Sequence, residues 1–212
     1  HASYRRQRQM CIRDRYHGVV KTGRTHLMDA MPLTIDQELG AWNTQLLNAR
    51  ASLITVLDAL RFLPQGGTAV GTGINAHPRF AREFCKAISP LVGFKAETSN
   101  DYFRNLSSQD LSVQLSGELK NLAVILMKIS NDLRWMNSGP LAGIAEVELQ
   151  ALQPGSSIMP GKVNPVIPEA VAMAGADVIG NDVTVTVAAQ SGSFQLNVMM
   201  PVIAYCLSLI HI

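Results

Sequence analysis

The residues of this chain that are best suited to chemistry are concentrated in one segment, residues 155–165, which reads GSSIMPGKVNP. It presents two hydroxyl groups (Ser156 and Ser157), one ammonium group (Lys162) and one carboxamide (Asn164). The glycines allow backbone amides to approach a ligand closely, and the prolines bend the chain. A cation and neutral donors on such a loop are suited to holding an anion, so the sequence predicts an anion-binding site here.

A purely structural role is the alternative interpretation of this segment. A glycine-rich connector can use its serines only to cap the following helix, and a GSS triplet alone would favour that role. Lys162 and Asn164 follow the serines within the same short segment, and this combination favours the chemical role. Glu169 comes shortly afterwards. Its position suits either a partner for the site or an ordinary carboxylate in the first turn of a helix.

Composition limits the class of protein. The chain has 212 residues, of which 47% are hydrophobic and 16% charged, enough for one globular domain with a sizeable core. The net charge of +2 argues against nucleic-acid and anionic-membrane partners. Cys11, Cys85 and Cys206 have neither disulfide nor zinc-ligand spacing, which favours a reducing compartment. We see no signal-peptide pattern and no apolar run of membrane-spanning length, so we expect a cytoplasmic protein.

The two ends of the sequence are related to each other through the DNA that can encode them. MCIRDR near the start can be encoded by ATG TGT ATA AGA GAC AGN, and LSLIHI at the end by CTG TCT CTT ATA CAC ATC. One is the reverse complement of the other, and this DNA resembles a transposase adaptor used in sequencing libraries. We therefore expect residues 1–15 and 207–212 to be adaptor-like scars around residues 16–206. A basic nucleic-acid-binding arm at the start is the weaker alternative, because it leaves the complementarity unexplained.

The pattern of apolar residues predicts long helices. Thr34 and Gln37 are three residues apart, as in a capping box, and predict a helix start after Pro32. The stripe that follows has alternating spacings of three and four residues and ends before Pro64: Leu39, Trp42, Leu46, Ala49, Leu53, Val56 and Leu60. This spacing is typical of a long helix in a bundle.

Three further helices are predicted. One begins near Ser107, with Asp110 at the matching cap position, and ends near Gly139. Its predicted apolar stripe consists mainly of leucines: Leu111, Leu115, Leu119, Leu122, Leu126, Ile129 and Leu133. A shorter helix is expected for residues 79–92, and another for residues 165–189. The last is apolar almost all round, so other helices must surround it. Its VTVTV stretch alternates as strands do, but no hairpin partner flanks it.

Three other segments carry motifs. Residues 21–33 read KTGRTHLMDAMPL and place Thr25 next to His26. A lone histidine is more often structural than catalytic, and the residues by themselves go no further. Residues 66–75 read GGTAVGTGIN, but without GxGxxG spacing or a Walker lysine they predict tight turns that pack under a site rather than a phosphate cradle. The charges of SNDLR at residues 130–134 are most simply ion pairs at a helix end.

Together these motifs resemble those of the fumarase/aspartase superfamily. GSSIMPGKVNP is similar to its signature loop, and GRTH with DAMPLT, GGTAVGTGIN and SNDLR with SGP resemble further segments of the family. The resemblance covers nearly all of residues 16–206. It is closest to fumarases without an iron–sulfur cluster, because aspartase relatives typically carry Gln at the position of His26. It implies an all-α fold, the central long-helix bundle of a tetramer-forming lyase.

The resemblance also implies an activity. Fumarases of this type hydrate fumarate reversibly to L-malate, by anti addition and elimination of water through an aci-carboxylate intermediate, a step of the tricarboxylic acid cycle. Ser156 would be the base that removes the proton from carbon. His26 would exchange a proton on the side of the hydroxyl group, with Glu169 fixing its imidazole. The substrate would be bound by Thr25, Ser157, Lys162 and Asn164.

Neither a metal nor a cofactor is implied, and no metal-ligand cluster stands out in the sequence. The expected partners are a small dicarboxylate, fumarate or L-malate, and copies of the same chain, since each site in this superfamily gathers loops from three chains of a homotetramer. The family's upstream serine, threonine and asparagine loops and its downstream small domain are not among residues 16–206. We therefore expect an incomplete central domain that is inactive alone.

Two other functions remain open from the sequence. An aspartate ammonia-lyase or argininosuccinate-type lyase of the same superfamily is the first, and His26 argues against it. A non-catalytic helical assembly module is the second, and the complete signature loop argues against that.

Overall fold

The computed structural model describes residues 12–153 and 155–209, which divide into two compact units at the bond between Ala51 and Ser52. The assignments of residues 1–11 and 210–212 to adaptor-like ends lie outside the described residues. Helices make up most of both units, and the expected helical fold is confirmed. Two small strand pairs accompany the helices, and the sequence did not predict them.

A β-hairpin opens the first unit. Strands β1 (Val20–Thr25) and β2 (Met28–Thr34) pair antiparallel, with Thr25 opposite Met28. His26 and Leu27 form the two-residue turn, with φ of 54° and 62°. Two positive φ values are typical of a type I′ hairpin turn, but leucine rarely adopts them. The KTGRTH motif is therefore part of a hairpin whose turn bears an unfavourable backbone conformation.

The first long helix, α1 (Ile35–Ala59), begins where the capping pattern predicts. The Gln37 side chain accepts a hydrogen bond from the Thr34 amide at 3.0 Å. In the same turn, the pKa of the Asp36 carboxyl is lowered, mainly because the Thr34 hydroxyl donates to it and further because the Gly18 amide and His17 do. Trp42, Ala49 and Val56 are buried and seven residues apart, which confirms the predicted stripe of α1.

Residues 61–107 contain turns and short elements. Strand β3 (Phe62–Leu63) pairs in parallel with β4 (Glu97–Thr98), and helices α2 (Phe80–Val92) and α3 (Tyr102–Ser107) lie on either side of β4 in the sequence. Between β3 and α2, the segment GGTAVGTGIN makes tight turns. A Cβ added at Gly67 would lie 2.9 Å from that of Tyr102, and one at Gly71 would lie 2.8 Å from the Phe103 ring. The prediction of close backbone packing is confirmed.

Two long antiparallel helices dominate the second unit: α4 (Asp110–Met136) and α5 (Val166–Gln190). Near the start of α4, Ser116 contacts Asp182, and further along α4, Met127 contacts Gly175. The buried residues repeat about every seven positions on both helices and are mostly small: Ser116, Ala123 and Ser130 on α4, and Pro168, Gly175 and Asp182 on α5. We call this contact the α4–α5 seam. Small side chains let the two backbones approach closely.

The leucines predicted to line α4 flank this seam and are half-buried in the chain. Helix α4 begins at Asp110 rather than near Ser107, where the sequence predicted its start. Ser107 ends α3, where its hydroxyl donates to the Phe103 carbonyl oxygen, and Ser108 instead contacts Asp110. A serine can close one helix as easily as it opens the next, and the spacing to Asp110 does not distinguish the two.

The seam contains one polar cluster. The carboxylate of Asp182 accepts a hydrogen bond from the Ser116 hydroxyl at 2.8 Å and pairs with the Lys120 ammonium at 2.6 Å. Asp182 and Ser116 are 5% and 2% exposed, whereas the Lys120 side chain is 45% exposed. The buried carboxylate is thus satisfied on one side by a buried hydroxyl and on the other by a cation that stays hydrated.

The final helix, α6 (Met200–Leu209), packs against α5 in a core cluster formed by Val185, Ala188, Ile203 and Cys206, with Leu207 against it. The VTVTV stretch lies within α5, so its assignment as helix is confirmed.

Helix α5 is long and apolar enough to cross a membrane by length and composition, so the prediction that no such run exists is wrong. The core helix of a soluble protein meets the same criterion, and this finding is weak evidence for a membrane span.

Candidate functional site

The signature loop is closed on itself by its backbone. The amide of Ser156 donates to the carbonyl oxygen of Lys162 at 3.1 Å, and the amide of Lys162 donates to that of Met159 at 3.1 Å. A side chain at Gly155 would collide with the Lys162 carbonyl, and Gly161 has φ of 83°. Both glycines are therefore required by this closure. The loop presents its side chains from a fixed backbone.

Ser156 has a specific hydrogen-bonded environment. Its Oγ accepts from the amides of Ile158 and Met159, each at 3.3 Å. Two amide donors directed at one hydroxyl oxygen stabilise negative charge there, as oxyanion-binding amides do. The side chain is half-buried, while its neighbour Ser157 is exposed. Of the two serines, Ser156 is the one whose oxygen is shown to accept hydrogen bonds from the backbone.

A pocket of about 390 Å³ lies where α4 ends and α5 begins. One wall is the last turn of α4 and the residues after it; the other is the end of the signature loop and the first turn of α5. Its lining residues are Asn131, Arg134, Trp135, Asn137, Ser138, Gly139, Lys162, Val163, Asn164, Pro165 and Glu169. Three predicted site residues, Lys162, Asn164 and Glu169, therefore meet in one pocket. The volume is within the usual range of ligand sites, about 300–1,000 Å³.

Sequence reasoning missed the α4 wall of this pocket. Arg134 was expected to pair at the helix end, yet the observed ion pair joins Lys128 to Asp132, and Arg134 Nη1 donates to Asn131 Oδ1 at 3.2 Å. Across the parts of the chain that the structure describes, neither Arg134 nor Lys162 forms an ion pair. A signal was present, because Asn131 and Arg134 are three residues apart, on one face of α4.

Two residues of the same wall hold the loop that follows α4. The Asn137 Oδ1 accepts from the Leu149 amide at 2.8 Å, and the Ser138 hydroxyl accepts from the Ile144 amide at 3.0 Å while donating to the Trp135 carbonyl oxygen. These side chains are engaged by the protein itself. Their bonds give the pocket a fixed rim.

The remaining predicted residues lie elsewhere. Thr25 and His26 belong to the first unit, at the end of β1 and in the exposed hairpin turn, whereas Ser156, Ser157 and the pocket residues belong to the second unit. Among the residues described by the structure, no group of three or more His, Cys, Asp or Glu side chains could hold a metal ion. The candidate site therefore consists of hydroxyl, ammonium, guanidinium, carboxamide and carboxylate groups.

The chain is similar to a family model and to curated proteins. A family model described as lyase matches residues 13–180. The chain is 62% identical over 188 residues to a class II fumarate hydratase of Pseudomonas aeruginosa, covering 89% of the chain and 41% of that protein. It is 63% identical over 187 residues to one from Xylella fastidiosa, covering 88% of the chain and 40% of that protein. The chain thus spans about two fifths of the length of these curated relatives.

Solved structures agree. The class II fumarase of Schistosoma mansoni matches with a TM-score of 0.91 and 36% identity, over 95% of this chain and 45% of that one. A fumarate lyase:delta crystallin from Brucella melitensis, bound to cobalt, matches with a TM-score of 0.88 and 42% identity, over 95% and 44%. The helical-bundle fold is confirmed by both. With the family model covering most of the residues, the chain belongs to the lyase family, within the fumarase/aspartase superfamily that its signature loop resembles.

Proposed function

We propose that the full-length protein containing these residues is a fumarate hydratase that interconverts fumarate and L-malate. The observation that carries the proposal is the pocket in which Lys162, Asn164 and Glu169 meet beside the backbone-closed signature loop. Its cationic and amide groups suit a dicarboxylate. The similarity to class II fumarate hydratases, over the two fifths of their length that the chain spans, supports the same activity.

The difficult step is removal of a proton from the carbon next to a carboxylate of malate, a very weak acid. We assign this step to Ser156 acting as its alkoxide. The amides of Ile158 and Met159 support the assignment, because they already donate to the oxygen that must carry the charge. Loss of the proton leaves an electron pair on the carbon. This charge is delocalised into the adjacent carboxylate, which becomes its dianionic form, the aci-carboxylate.

Lys162 and Asn164 are assigned to that developing charge. An ammonium and a carboxamide fixed near a carboxylate gain strength as its charge grows, and such gains lower the barrier. Thr25 and Ser157 are assigned to hydrogen bonds with substrate oxygens. His26 is assigned to proton exchange with the departing hydroxyl group, with the carboxylate of Glu169 orienting its imidazole. Every step uses groups of the protein itself, so the proposal requires no cofactor.

Assembly into a homotetramer is part of the proposal. Helix α5 packs on α4 and α6, yet large apolar side chains elsewhere on it are exposed in the single chain: Ile167, Met173, Val183 and Val187. A shared bundle would cover them and would bring Thr25 and His26 to signature loops of other protomers. We place the protein in the cytoplasm. These 212 residues alone should self-associate without turnover; a monodisperse monomer in light scattering would contradict the shared bundle.

The test is substrate turnover by the full-length protein. Fumarate absorbance should fall when fumarate is supplied and rise when L-malate is supplied, with and without a metal chelator. Aspartate and argininosuccinate serve as matched substrates for the related lyases. Release of fumarate from aspartate and not from malate would replace the hydratase with an ammonia-lyase. A folded tetramer that acts on none of these substrates would support the assembly module.

A further inference from the structure

We infer that Lys21 is a positioning residue, which acts through the β1–β2 hairpin to set where Thr25 and His26 meet the substrate. Its buried ion pair with Glu38 fixes the angle between the hairpin and α1. The inference rests on the proposed function for the roles of Thr25 and His26. It assigns no contact with the substrate to Lys21 itself.

The junction between the hairpin and α1 is the first observation. Strand β2 ends at Thr34 and α1 begins at Ile35, so no linker separates the two elements. The Ile35 amide donates to the Val19 carbonyl oxygen at 2.9 Å, which joins the start of β1 to the same point. Both strands are thus attached to α1 at the same end. Rotation about this junction would displace the other end, which bears the turn.

The hairpin buries little apolar surface of its own. Residues 28–32 of β2 are all exposed, and the buried residue of β1 is Gly23. A two-stranded hairpin is at best marginally stable by itself in water. The left-handed conformation of Leu27 persists only where the surrounding structure imposes it. Contacts between the hairpin and α1 therefore carry much of the weight in fixing the turn.

Lys21 makes such a contact. Its ammonium lies 2.5 Å from Glu38 Oε2, in the first turn of α1. The Lys21 side chain is 6% exposed, whereas those of Arg24 and Asp29, the other charged residues of the hairpin, are 25% and 85% exposed. Separating a buried ion pair leaves charge without compensation away from water. The pair therefore opposes rotation of the hairpin about its junction with α1.

The strands are in close contact between Lys21 and the turn. A Cβ at Gly23 would lie 2.4 Å from the Met31 carbonyl oxygen, so the two backbones approach closely there. Alternate side chains of a strand share a face, which places Thr25 on the same face of β1 as Lys21, about 13 Å away. A displacement at Lys21 therefore moves Thr25 and His26 as well. A misplacement of about 1 Å at a reacting group costs up to about a hundredfold in rate.

The experiment breaks the ion pair from either side in the full-length protein. We expect Lys21→Leu to lower kcat with L-malate about ten- to a hundred-fold, at a temperature where the variant is folded. Glu38→Gln breaks the same pair without a change in volume and should also lower kcat, so the test stands even if Lys21→Leu does not fold. Lys21→Arg keeps the charge and should recover most of the turnover.

Met28 reports the turn independently of any chemistry. It pairs with Thr25 beside the turn, and a methyl-labelled methionine gives an NMR signal even in a large assembly. The Met28 signal should shift or broaden in Lys21→Leu and in Glu38→Gln. In Lys21→Arg it should stay close to that of the unaltered protein.

Lys120→Leu is the matched control. Its ammonium also pairs with a buried carboxylate, that of Asp182 at 2.6 Å, but on α4 in the second unit. Its melting temperature should fall, while kcat and the Met28 signal stay unchanged.

Unchanged kcat or an unchanged Met28 signal in the folded pair-breaking variants would overturn the inference, and so would an equal loss of kcat in Lys120→Leu. Fumarate turnover by the unaltered protein is recorded separately. Its absence, together with a shifted Met28 signal in Lys21→Leu, would refute the hydratase and keep Lys21 as the residue that fixes the hairpin.

Discussion

Two regions formed by the same pair of helices use polar residues in opposite ways. In the α4–α5 seam, Asp182, Ser116 and Lys120 satisfy one another, and the carboxylate and the hydroxyl are withdrawn from water. In the pocket where α4 ends and α5 begins, Arg134 and Lys162 have no carboxylate partner within the described part of the chain. Groups that are satisfied internally stabilise the fold, and groups left unsatisfied can bind a ligand. Substitutions in the two regions should therefore separate stability from activity.

Ser156→Ala should give the largest effect, and on turnover alone. Losing the base should lower kcat of the full-length protein by roughly a hundred- to ten-thousand-fold. The melting temperature should hardly change, because the substitution removes one half-buried hydroxyl and no packed apolar volume. Steady-state kinetics and thermal unfolding measure the two quantities. Ser157→Ala is the adjacent control, with a smaller loss; unchanged kcat in a Ser156→Ala tetramer would refute Ser156 as the base.

The second largest loss of activity is expected for Lys162→Met. Losing a fixed cation at the aci-carboxylate should lower kcat/KM by about a hundred- to a thousand-fold, as removal of an oxyanion-type donor does. Stability should again be unaffected, since the ammonium makes no ion pair among the described residues. Lys86→Met is the control, because Lys86 is exposed on α2 and does not line the pocket. If both variants lose the same activity, the effect is not specific to the pocket.

Asp182→Ala should show the reverse pattern. The buried Ser116 hydroxyl would lose its acceptor, and the free energy of unfolding should fall by about 1–3 kcal/mol. Asp182 is about 20 Å along α5 from Glu169, so the folded variant should keep its turnover. Urea titration with circular dichroism measures the loss. Asp182→Asn keeps an acceptor for Ser116, so its free energy of unfolding should fall less. A larger fall for Asp182→Asn than for Asp182→Ala would contradict the hydrogen-bond argument.

The smallest effect is expected on the free energy of unfolding, from substitution of two glycines of α5. A Cβ at Gly180 meets nothing within 4 Å, so Gly180→Ala should stabilise the helix by about 0.5–1 kcal/mol. At Gly175 the added Cβ would lie 2.5 Å from Met127 Cγ, which must move, so Gly175→Ala should gain less or lose stability. Urea titration of both variants tests the difference. Destabilisation by Gly180→Ala would show that another helix covers this face in the assembled protein.

The long helices were predictable because their evidence is local. Capping at Thr34 and the helical spacing of its apolar residues predict α1, the long apolar run predicts α5, and the structure follows both closely. The hairpin was missed because Pro32 and the mixed polarity of residues 20–34 give no clear strand alternation. The seam was missed for a different reason. The leucines form the most hydrophobic stripe of α4, whereas the buried contacts are made by Ser116, Ala123 and Ser130, which are small and only weakly hydrophobic.

The site was predictable in part. Ser156, Lys162 and Asn164 stand within one contiguous motif, so their proximity follows from sequence. Arg134 lies 28 positions before Lys162, and only the antiparallel packing of α4 and α5 brings it to the same pocket. The roles of all the predicted site residues stay predictions: Thr25, His26, Ser156, Ser157, Lys162, Asn164 and Glu169.

The antiparallel seam also gives the pocket an electric polarity. It brings the carboxyl end of α4 and the amino end of α5 to the same cavity, and helix macrodipoles place about half a negative charge at the first and half a positive charge at the second. Lys162 and Asn164 precede the positive end, and Arg134 is in the last turn at the negative end. For the proposed dicarboxylate substrate, this polarity would favour the orientation in which the growing charge lies towards α5. Reversing the ligand would oppose the field of both helices.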